Sequence, residues 1–536
     1  MKVDKGQSCQ DIELYPLDYG EDKQDSLTKE RIRHLLSSES DLKAYILDDH
    51  SEVCIKTLLS QASKQSSKES MKIILDFIVQ QLTERFSEKR VQIWAGEDVI
   101  DPEDLQTVLV CFYSGSFDIS MQSFYNLKVR YKDYNTTDGE SVLARAHERN
   151  IKSDVSLEHC DLLNEAITIH GEGLFAKHSN LEAISSSGIL SSKSRGLVQE
   201  PCVILYCRVK GIIPFGETPF PKRLKVNEDV SIVVDVREGY FSAQADSSEN
   251  EENGTFRPES EQLTEPLKMG CSVGPAGRLQ SGTIGPFVKI NSDKIGFLTC
   301  AHVVFCDSEL IDLSDKTKTD PIVKEIVQPP DNDSSASRYQ YNHKLCGKVL
   351  NAMFRGDWNA AVIEITSRFP RKGAFVATEQ TQLEDAGFSV DQPPRFDTGT
   401  LMIHPINWKL QRAVIKIGSE TGLTRGLLRL TKGMVRYSNR SGTLNRYNDG
   451  LEELTITMHG LMEISSARFC TYGDSGAGVF LVVDDDDNNK LICVGLSFGV
   501  LSDGTGLAMP IDKILTALHR DGLQIKLKDF ENEELI

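Results

Sequence analysis

An acidic, polar stretch divides this chain into two parts of different character. The stretch SAQADSSENEENGTFRPESEQLTEPL, at 242–267, contains almost no bulky apolar residue. Such a segment cannot bury enough surface to offset the entropy cost of ordering, so we predict an acidic linker there. The chain has 536 residues. Because a domain typically has roughly 100–200 residues, we expect about two to four domains.

The N-terminal part begins with a predicted helical unit. In residues 27–90, apolar side chains recur at helical spacing on either side of the polar stretch SQASKQSSKES, which predicts a bundle of three or four helices. This unit faintly resembles the death-fold or effector-associated adaptor domains, and that resemblance implies a homotypic partner bound through the bundle. Residues 1–26 are predicted to be disordered.

Residues 92–241 mix both periodicities and predict a small α/β domain. β-Branched runs at 203–209 and 230–236 predict two strands, joined by a proline-rich connection. A capping box that begins at Ser179 predicts a helix that ends at Gly188.

Charge and composition exclude several classes of function. The chain has 79 acidic and 60 basic residues and a net charge of -19, so neither a nucleic acid nor a membrane surface is expected as a partner. No apolar run approaches the roughly 18 residues of a spanning helix, and the N-terminus lacks a secretory h-region. The 12 cysteines lack paired zinc spacing and favour a reduced, cytoplasmic protein. We expect no metal and no cofactor.

The C-terminal part, 268–525, is predicted to be an all-β domain. Short β-rich runs with frequent glycine follow one another through it, and one helical face closes it, formed by Ile511, Ile514, Leu515 and Leu518. Residues 526–536 are predicted to be a C-terminal tail.

Two motifs in this part contain candidate catalytic residues, a serine and a histidine. The stretch TYGDSGAGVF, at 471–480, places Ser475 between an aspartate and a glycine, and KIGFLTCAHVVF places His302 just after an apolar strand. A serine hydroxyl is a poor nucleophile near neutral pH, so it needs a base within hydrogen-bond reach. A third group usually fixes the tautomer of that base. Ser475 and His302 are therefore a candidate nucleophile and base.

The order of these motifs resembles the chymotrypsin-like serine proteases along 268–525. TCAHV is similar to the histidine motif of that family, YGDSGAGVF to its serine motif, GLSFG to its substrate-binding strand, and GLAMPIDKIL to the approach to its last helix. The resemblance implies a double-barrel β fold. Because Cys300 and Cys470 fall beside the disulfide positions of the family, the chain resembles the intracellular members more than the secreted ones.

The resemblance also implies roles for individual residues. Ser475 would be the nucleophile and His302 the base, and the backbone N–H groups of Gly473 and Ser475 would form the oxyanion hole. The strand Ser497, Phe498 and Gly499 would pair with an extended peptide. Phe469 would line the floor of the main specificity pocket, which predicts a shallow or apolar pocket.

The third member of the triad has two candidates. Counting back from AAVIEI in the family's register places Asn359 where the family has its aspartate, and Asp357 lies two residues earlier on the same strand face. An amide can hold the histidine in the wrong tautomer, and in a well-studied serine protease that exchange costs about 10⁴ in turnover. Asn359 has the better register and Asp357 the better chemistry.

Two further stretches have expected roles. Secreted members are activated by cleavage after a basic residue, and the new N-terminus pairs with the aspartate before the serine, here Asp474. RLQSGTIGPFVKI has no basic residue directly before Thr283, so such activation is not expected. KIGSETGLTRG, at 416–426, is predicted to be a tight loop between strands rather than a phosphate loop.

The sequence thus predicts a serine endopeptidase that forms an acyl-enzyme on Ser475 and acts on a protein or peptide substrate. The alternative is a catalytically impaired pseudoprotease that binds peptides or serves as a signalling scaffold. A carboxylate facing His302 favours the enzyme, and an amide favours the binding protein.

Overall fold

The structure is a computed structural model, and its described residues form several ranges separated by short gaps. These residues are 27–48, 51–86, 91–99, 106–113, 117, 119–133, 136, 139–150, 155, 157–192, 196–243, 259–291, 293–315, 324–330, 342–401, 412–438, 455–466, 468–485 and 488–532. The predicted disordered N-terminus, 1–26, lies outside them, as do residues 244–258 of the predicted linker.

The chain divides into two compact units, Met1–Gln81 and Leu82–Ile536. Four helices lie within the range 27–90 that the sequence assigned to a helical bundle: α1 (Lys29–Ser37), α2 (Glu39–Asp48), α3 (Glu52–Lys64) and α4 (Lys68–Arg85). The Thr28 hydroxyl accepts a hydrogen bond from the Arg31 N–H and so caps the first turn of α1. Buried leucines and isoleucines on successive helical turns form the interior of the first unit.

The second unit is mostly β. Its strands before residue 250 are β1 (Val91–Asp98), β2 (Gln106–Tyr113), β3 (Ser123–Phe124), β4 (Leu127–Asp133), β5 (Leu181–Ser192), β6 (Gly196–Cys207), β7 (Ile212–Pro214), β8 (Arg223–Lys225), β9 (Ser231–Glu238) and β10 (Phe241–Ala243). Its later strands are β11 (Ser272–Pro275), β12 (Gly282–Thr283), β13 (Phe287–Ile290), β14 (Lys294–Thr299), β15 (Glu325–Val327), β16 (Leu345–Arg355), β17 (Trp358–Ile365), β18 (Ala413–Gly418), β19 (Gly422–Ser438), β20 (Thr455–Ser465), β21 (Gly478–Asp485), β22 (Asn488–Leu501), β23 (Gly506–Pro510) and β24 (Ile525–Leu527). Its helices are α5 (Gly139–Asn150), α6 (Leu157–Lys177), α7 (Ala301–Val304), α8 (Asp307–Ser314), α9 (Gln380–Ala386) and α10 (Ile511–Arg520).

Six antiparallel strands close into a ring. β18, β21, β22, β23, β20 and β19 pair in that order, and β19 pairs back to β18. A closed ring leaves no unpaired edge along the part of each strand that takes part in it. Strand β22 is longer than its neighbour β21, so the end of β22 extends past this pairing.

An eight-stranded sheet accompanies the ring, in the order β12, β11, β15, β16, β17, β14, β13, β24. One apolar core joins the two, since Phe297 and Ile363 of this sheet share a buried cluster with Leu496 of the ring and with α10. The four predicted apolar residues of the last helix are all buried. The predicted all-β part of the chain corresponds to this ring and this sheet.

The sheet of the ring continues into the preceding part of the chain. β19 also pairs with β5, with Val435 opposite Ala183, and β6, β9 and β8 follow beyond β5. β6 and β9 overlap the two strands that the sequence predicted at 203–209 and 230–236, but β6 ends at Cys207 and β9 begins at Ser231. Strands β3, β4, β2, β1 and β7 form a separate five-stranded sheet, in which β2 and β4 run parallel.

The helix predicted between Ser179 and Gly188 is wrong, because this region is strand β5. The Ser179 N–H donates to the Glu217 carboxylate instead of beginning a helix, and Glu182 pairs with Arg208. β5 is paired on both sides, by β6 and β19, and most of it is buried. A strand covered on both faces has no alternating pattern, so its sequence can resemble a short buried helix.

The predicted linker is packed at both of its ends. β10 pairs with β22, and at the other end the Ser260 hydroxyl donates to the Ser419 carbonyl, while the Leu267 N–H donates to the Arg368 carbonyl. Among the described helices, none combines the length and apolar character needed to cross a membrane.

Candidate active site

His302 and Asn359 are brought together by strand pairing. β14 ends at Thr299, and His302 is the second residue of α7, which follows at once. β17 pairs with β14, with Ala361 opposite Thr299, so Asn359 near the start of β17 lies beside His302. Asn359 Oδ1 accepts the backbone N–H of His302 at 3.2 Å, and Asn359 Nδ2 lies 2.7 Å from His302 Nδ1.

Ser475 meets the other nitrogen of the same imidazole ring. It lies in the turn before β21, and its Oγ is 2.9 Å from His302 Nε2. The Ser475 hydroxyl can donate to the carbonyl of Phe498, at 3.3 Å. Ser475, His302 and Asn359 therefore form one continuous hydrogen-bonded chain.

The partners of Asn359 fix the tautomer of His302. The backbone N–H is always a donor, so the amide oxygen must face it and the amide nitrogen must face the ring. Because that nitrogen donates to Nδ1, the neutral imidazole carries its proton on Nε2. The Nε2–H then points at Ser475 Oγ, and the serine proton points away, toward Phe498. In this arrangement His302 holds a proton where a general base needs a lone pair.

The cluster is closed to solvent. Ser475 and Asn359 are fully buried, and His302 is 2% exposed. Burial lowers the pKa of His302 to about 4, so its imidazole is neutral near pH 7. The rings of Phe498 and Tyr437 lie 5.9 and 6.1 Å from the His302 ring, so aromatic side chains cover the site.

Asp357 lies in a different place. It belongs to the turn between β16 and β17, next to the paired residues Arg355 and Trp358. Within the described residues, no hydrogen bond or ion pair joins it to His302. Of the two residues that the sequence proposed as third member, the structure brings Asn359 to the histidine and leaves Asp357 in the turn.

Gly473 and Ser475 present two backbone donors. Gly473 has a φ of +88° and Gly476 a φ of +91°, a left-handed conformation that glycine adopts without strain. The N–H groups of Gly473 and Ser475 donate to no group among the described residues. The Gly473 carbonyl accepts from the hydroxyls of Thr283 and Ser419, each at 2.8 Å, so the peptide planes of the turn are held with these N–H groups unengaged.

A buried ion pair anchors the turn from the other side. The Asp474 carboxylate lies 3.0 Å from Lys416 Nζ, and both side chains are fully buried. It also accepts from the Thr421 hydroxyl at 2.8 Å and the Thr471 N–H at 2.9 Å. In secreted proteases of the family that the sequence resembles, a new N-terminus pairs with this aspartate. Here Thr283 is the last residue of β12, and a lysine side chain, that of Lys416, supplies the cation.

The loop that carries Thr421 connects β18 to β19, as the sequence predicted for KIGSETGLTRG. The sequence did not indicate that this loop contacts the serine turn. The available signal was Lys416 itself, a cation inside the otherwise apolar strand AVIKIG, since a buried lysine almost always has a partner.

Phe469 and the predicted peptide-binding strand, Ser497 to Gly499, are both occupied by contacts within the chain. Phe469 is buried in an apolar cluster inside the ring, with Lys416 Nζ 5.9 Å from its ring centroid. The backbone of Ser497 is bonded within the chain, since its N–H donates to Ala477 and its carbonyl accepts from Gly476. Gly499 is paired with β10.

Comparisons with known proteins give remote structural likeness. No protein-family model matches the chain, and no curated protein matches it. Among solved structures, the chain is similar to the Nocardiopsis protease NAPase, with 15% identity and a TM-score of 0.29. It is also similar to a glutamic acid-specific serine protease that utilises a histidine triad in substrate binding, with 13% identity and a TM-score of 0.27. A third similar structure is the chymotrypsin of Cellulomonas bogoriensis, with 16% identity and a TM-score of 0.25. Each match covers 49% of this chain and 98%, 100% and 97% of the other chain, respectively.

Proposed function

We propose that the chain is a serine endopeptidase with Ser475 as its nucleophile. One observation carries this proposal. Ser475 Oγ lies 2.9 Å from His302 Nε2, beside two backbone N–H groups that no described residue engages. Those are the parts that acyl transfer needs, namely a nucleophile, a base within reach and donors for the developing oxyanion.

Catalysis requires one change in the hydrogen-bonded chain. Ser475 Oγ attacks the substrate carbonyl carbon while its proton moves to His302 Nε2, so the ring proton must first reside on Nδ1. Asn359 Oδ1 can accept a hydrogen bond from this Nδ1–H group only by giving up the one that it accepts from the backbone N–H of His302. The N–H groups of Gly473 and Ser475 donate to the oxyanion. His302 returns the proton to the leaving amine, and water hydrolyses the ester by the same steps.

A second function is favoured by a specific observation. The Asn359 amide donates to Nδ1, which leaves the Nε2 proton facing the serine. A site held in this state would bind an extended peptide without cleaving it. The peptide-binding pseudoprotease is therefore the alternative, and the two differ in whether Ser475 can be acylated or phosphonylated at all.

A fluorophosphonate probe tests the proposal without any demand on peptide sequence. Purified full-length protein and the Ser475→Ala and His302→Gln variants are incubated with the probe and followed by intact mass, and the labelled residue is mapped. We expect slow labelling at Ser475 in the wild type and none in either variant. Asn359→Asp is tested in parallel, and absence of labelling both in this variant and in the wild type would favour the peptide-binding alternative.

A further inference from the structure

Strand β10 fills the edge of β22 that lies next to the serine. Its residues pair antiparallel with the end of β22, with Phe241 opposite Leu501 and Ala243 opposite Gly499. The other side of this segment of β22 is taken by β23. β10 thus completes a row of backbone hydrogen-bonding groups that the closed ring leaves open.

Side chains hold this short strand in place. Phe241 is fully buried, and its ring stacks on Phe498 with centroids 5.0 Å apart. The Ser242 hydroxyl lies 2.9 Å from the hydroxyl of Tyr472, which follows the serine motif's first residue. At the start of the strand, the Ser502 N–H donates to the Tyr240 carbonyl at 2.9 Å. Three residues therefore make a specific attachment rather than a passing contact.

Gly499 allows β10 to approach β22 closely because it has no side chain. A Cβ added there would lie 2.5 Å from Cε2 of Phe241 and 2.6 Å from the Ser242 carbonyl oxygen. Real Cβ atoms do not come so close to ring and backbone atoms, so a glycine is needed for β10 to pair here. Gly499 is also a residue that the sequence assigned to pairing with a peptide.

The direction of β10 points at the nucleophile. The strand runs antiparallel to β22 and ends opposite Gly499, next to Phe498. Phe498 in turn accepts the Ser475 hydroxyl through its carbonyl, and its ring lies 5.9 Å from the His302 ring in an edge-to-face arrangement. The same residue therefore contacts the strand, the nucleophile and the base, so displacement of β10 would free Phe498, one of the two aromatic side chains that cover the site.

We propose that β10 is an internal ligand of a peptide-binding edge formed by Phe498 to Leu501. β10 keeps the site closed. Its sequence also indicates what this edge binds, which is an extended peptide with an aromatic residue that stacks on Phe498. This proposal rests on the proposed function where it concerns activity. A tethered strand acts at an effective concentration on the order of mM, so free peptides compete poorly until β10 is displaced.

Release of the strand should increase reactivity at Ser475. Phe241→Ala removes the stacked ring, and Ser242→Pro removes a backbone donor of the strand without emptying a buried aromatic site. We expect each to raise the rate of fluorophosphonate labelling at least about tenfold, because the rate follows the fraction of open sites. Phe220→Ala is the matched control, since Phe220 packs against His178 and not against β22, and it should leave the rate unchanged. Equal and measurable rates in the folded Phe241→Ala and Ser242→Pro variants and in the wild type would overturn the proposal.

A binding measurement separates this proposal from the proposed function. It uses the peptide GYFSA, the sequence of 239–243, with a fluorescein label, and full-length chains that all carry Ser475→Ala. Fluorescence anisotropy should show saturable binding to the Phe241→Ala chain, at least about tenfold tighter than to the parent, and weaker binding of GYASA. If GYFSA binds as expected but the fluorophosphonate labels none of the chains that keep Ser475, the role of β10 as an internal ligand is supported and the peptidase is rejected. No binding of GYFSA to a Phe241→Ala chain that is folded by circular dichroism would reject the internal ligand.

Discussion

Replacing Asn359 with aspartate should turn a slow nucleophile into a fast one. In the wild type, the Nδ1–H tautomer of His302 would place its ring N–H against the Asn359 amide nitrogen, 2.7 Å away, and both groups are donors. Rotating the amide would instead turn its nitrogen toward the backbone N–H of His302, 3.2 Å away, and these are again two donors. Either arrangement leaves a buried donor unsatisfied, which costs about 1–3 kcal/mol. An aspartate accepts both N–H groups and also stabilises the imidazolium, by about 4 kcal/mol for two charges 4 Å apart at an effective dielectric constant of 20.

Together these effects amount to roughly 5–7 kcal/mol, or about 10⁴- to 10⁵-fold in rate at 1.36 kcal/mol per factor of ten. The assay is the second-order rate constant of Ser475 labelling by a fluorophosphonate, measured for Asn359→Asp and wild type. Asn359→Ser is a useful control because it removes the amide without adding a charge. We expect an increase of about 10⁴-fold for the aspartate, at the lower end of this range, and a much smaller change for the serine. A change below about tenfold for Asn359→Asp in a folded protein would refute the tautomer argument.

Three further perturbations test other parts of the account. Lys416→Met leaves the Asp474 carboxylate buried without its cation. We expect urea denaturation to show that the free energy of unfolding falls by about 3–5 kcal/mol, and a fall of less than about 1 kcal/mol would contradict the anchoring role. His302 has a pKa of about 4 in the folded chain against 6.5 when unperturbed, so the unfolded chain binds more protons between these values. The free energy of unfolding should therefore fall by about 3 kcal/mol as the pH drops from 6.5 to 4, and His302→Gln should remove that contribution; equal pH slopes for the two proteins would count against it. Gly473→Ala places a Cβ 2.3 Å from Cγ of Glu420 at a φ of +88°, so the oxyanion donors should shift and labelling should slow by at least about 10²-fold; an unchanged rate would show that Gly473 is not a donor.

Short motifs and strand register made part of this site predictable. Ser475 and His302 stand in local patterns, and the register counted from AAVIEI placed Asn359 rather than Asp357 beside the histidine, as the structure does. Sequence could not choose between those two residues on chemistry, because the choice depends on where the β16–β17 turn lies.

Long-range contacts were beyond prediction. The burial of Lys416 depends on Asp474, which lies in another strand connection. β10 was assigned to the end of one domain and the start of a linker, since three residues carry no period that identifies a strand. β5 was mistaken for a helix because both of its faces are buried, which removes the alternation that identifies a strand with one exposed face.

Ser475 is expected to cleave peptide bonds once the site is open and its base is competent. The most direct measurement uses the double variant Phe241→Ala, Asn359→Asp with unstructured synthetic peptides of randomised sequence, and identifies new peptide termini by mass spectrometry. We expect cleavage after apolar residues, and this cleavage should disappear when Ser475→Ala is added. Absence of any Ser475-dependent cleavage by the folded double variant would contradict it, and strong preference for arginine or lysine would contradict the apolar pocket assigned to Phe469.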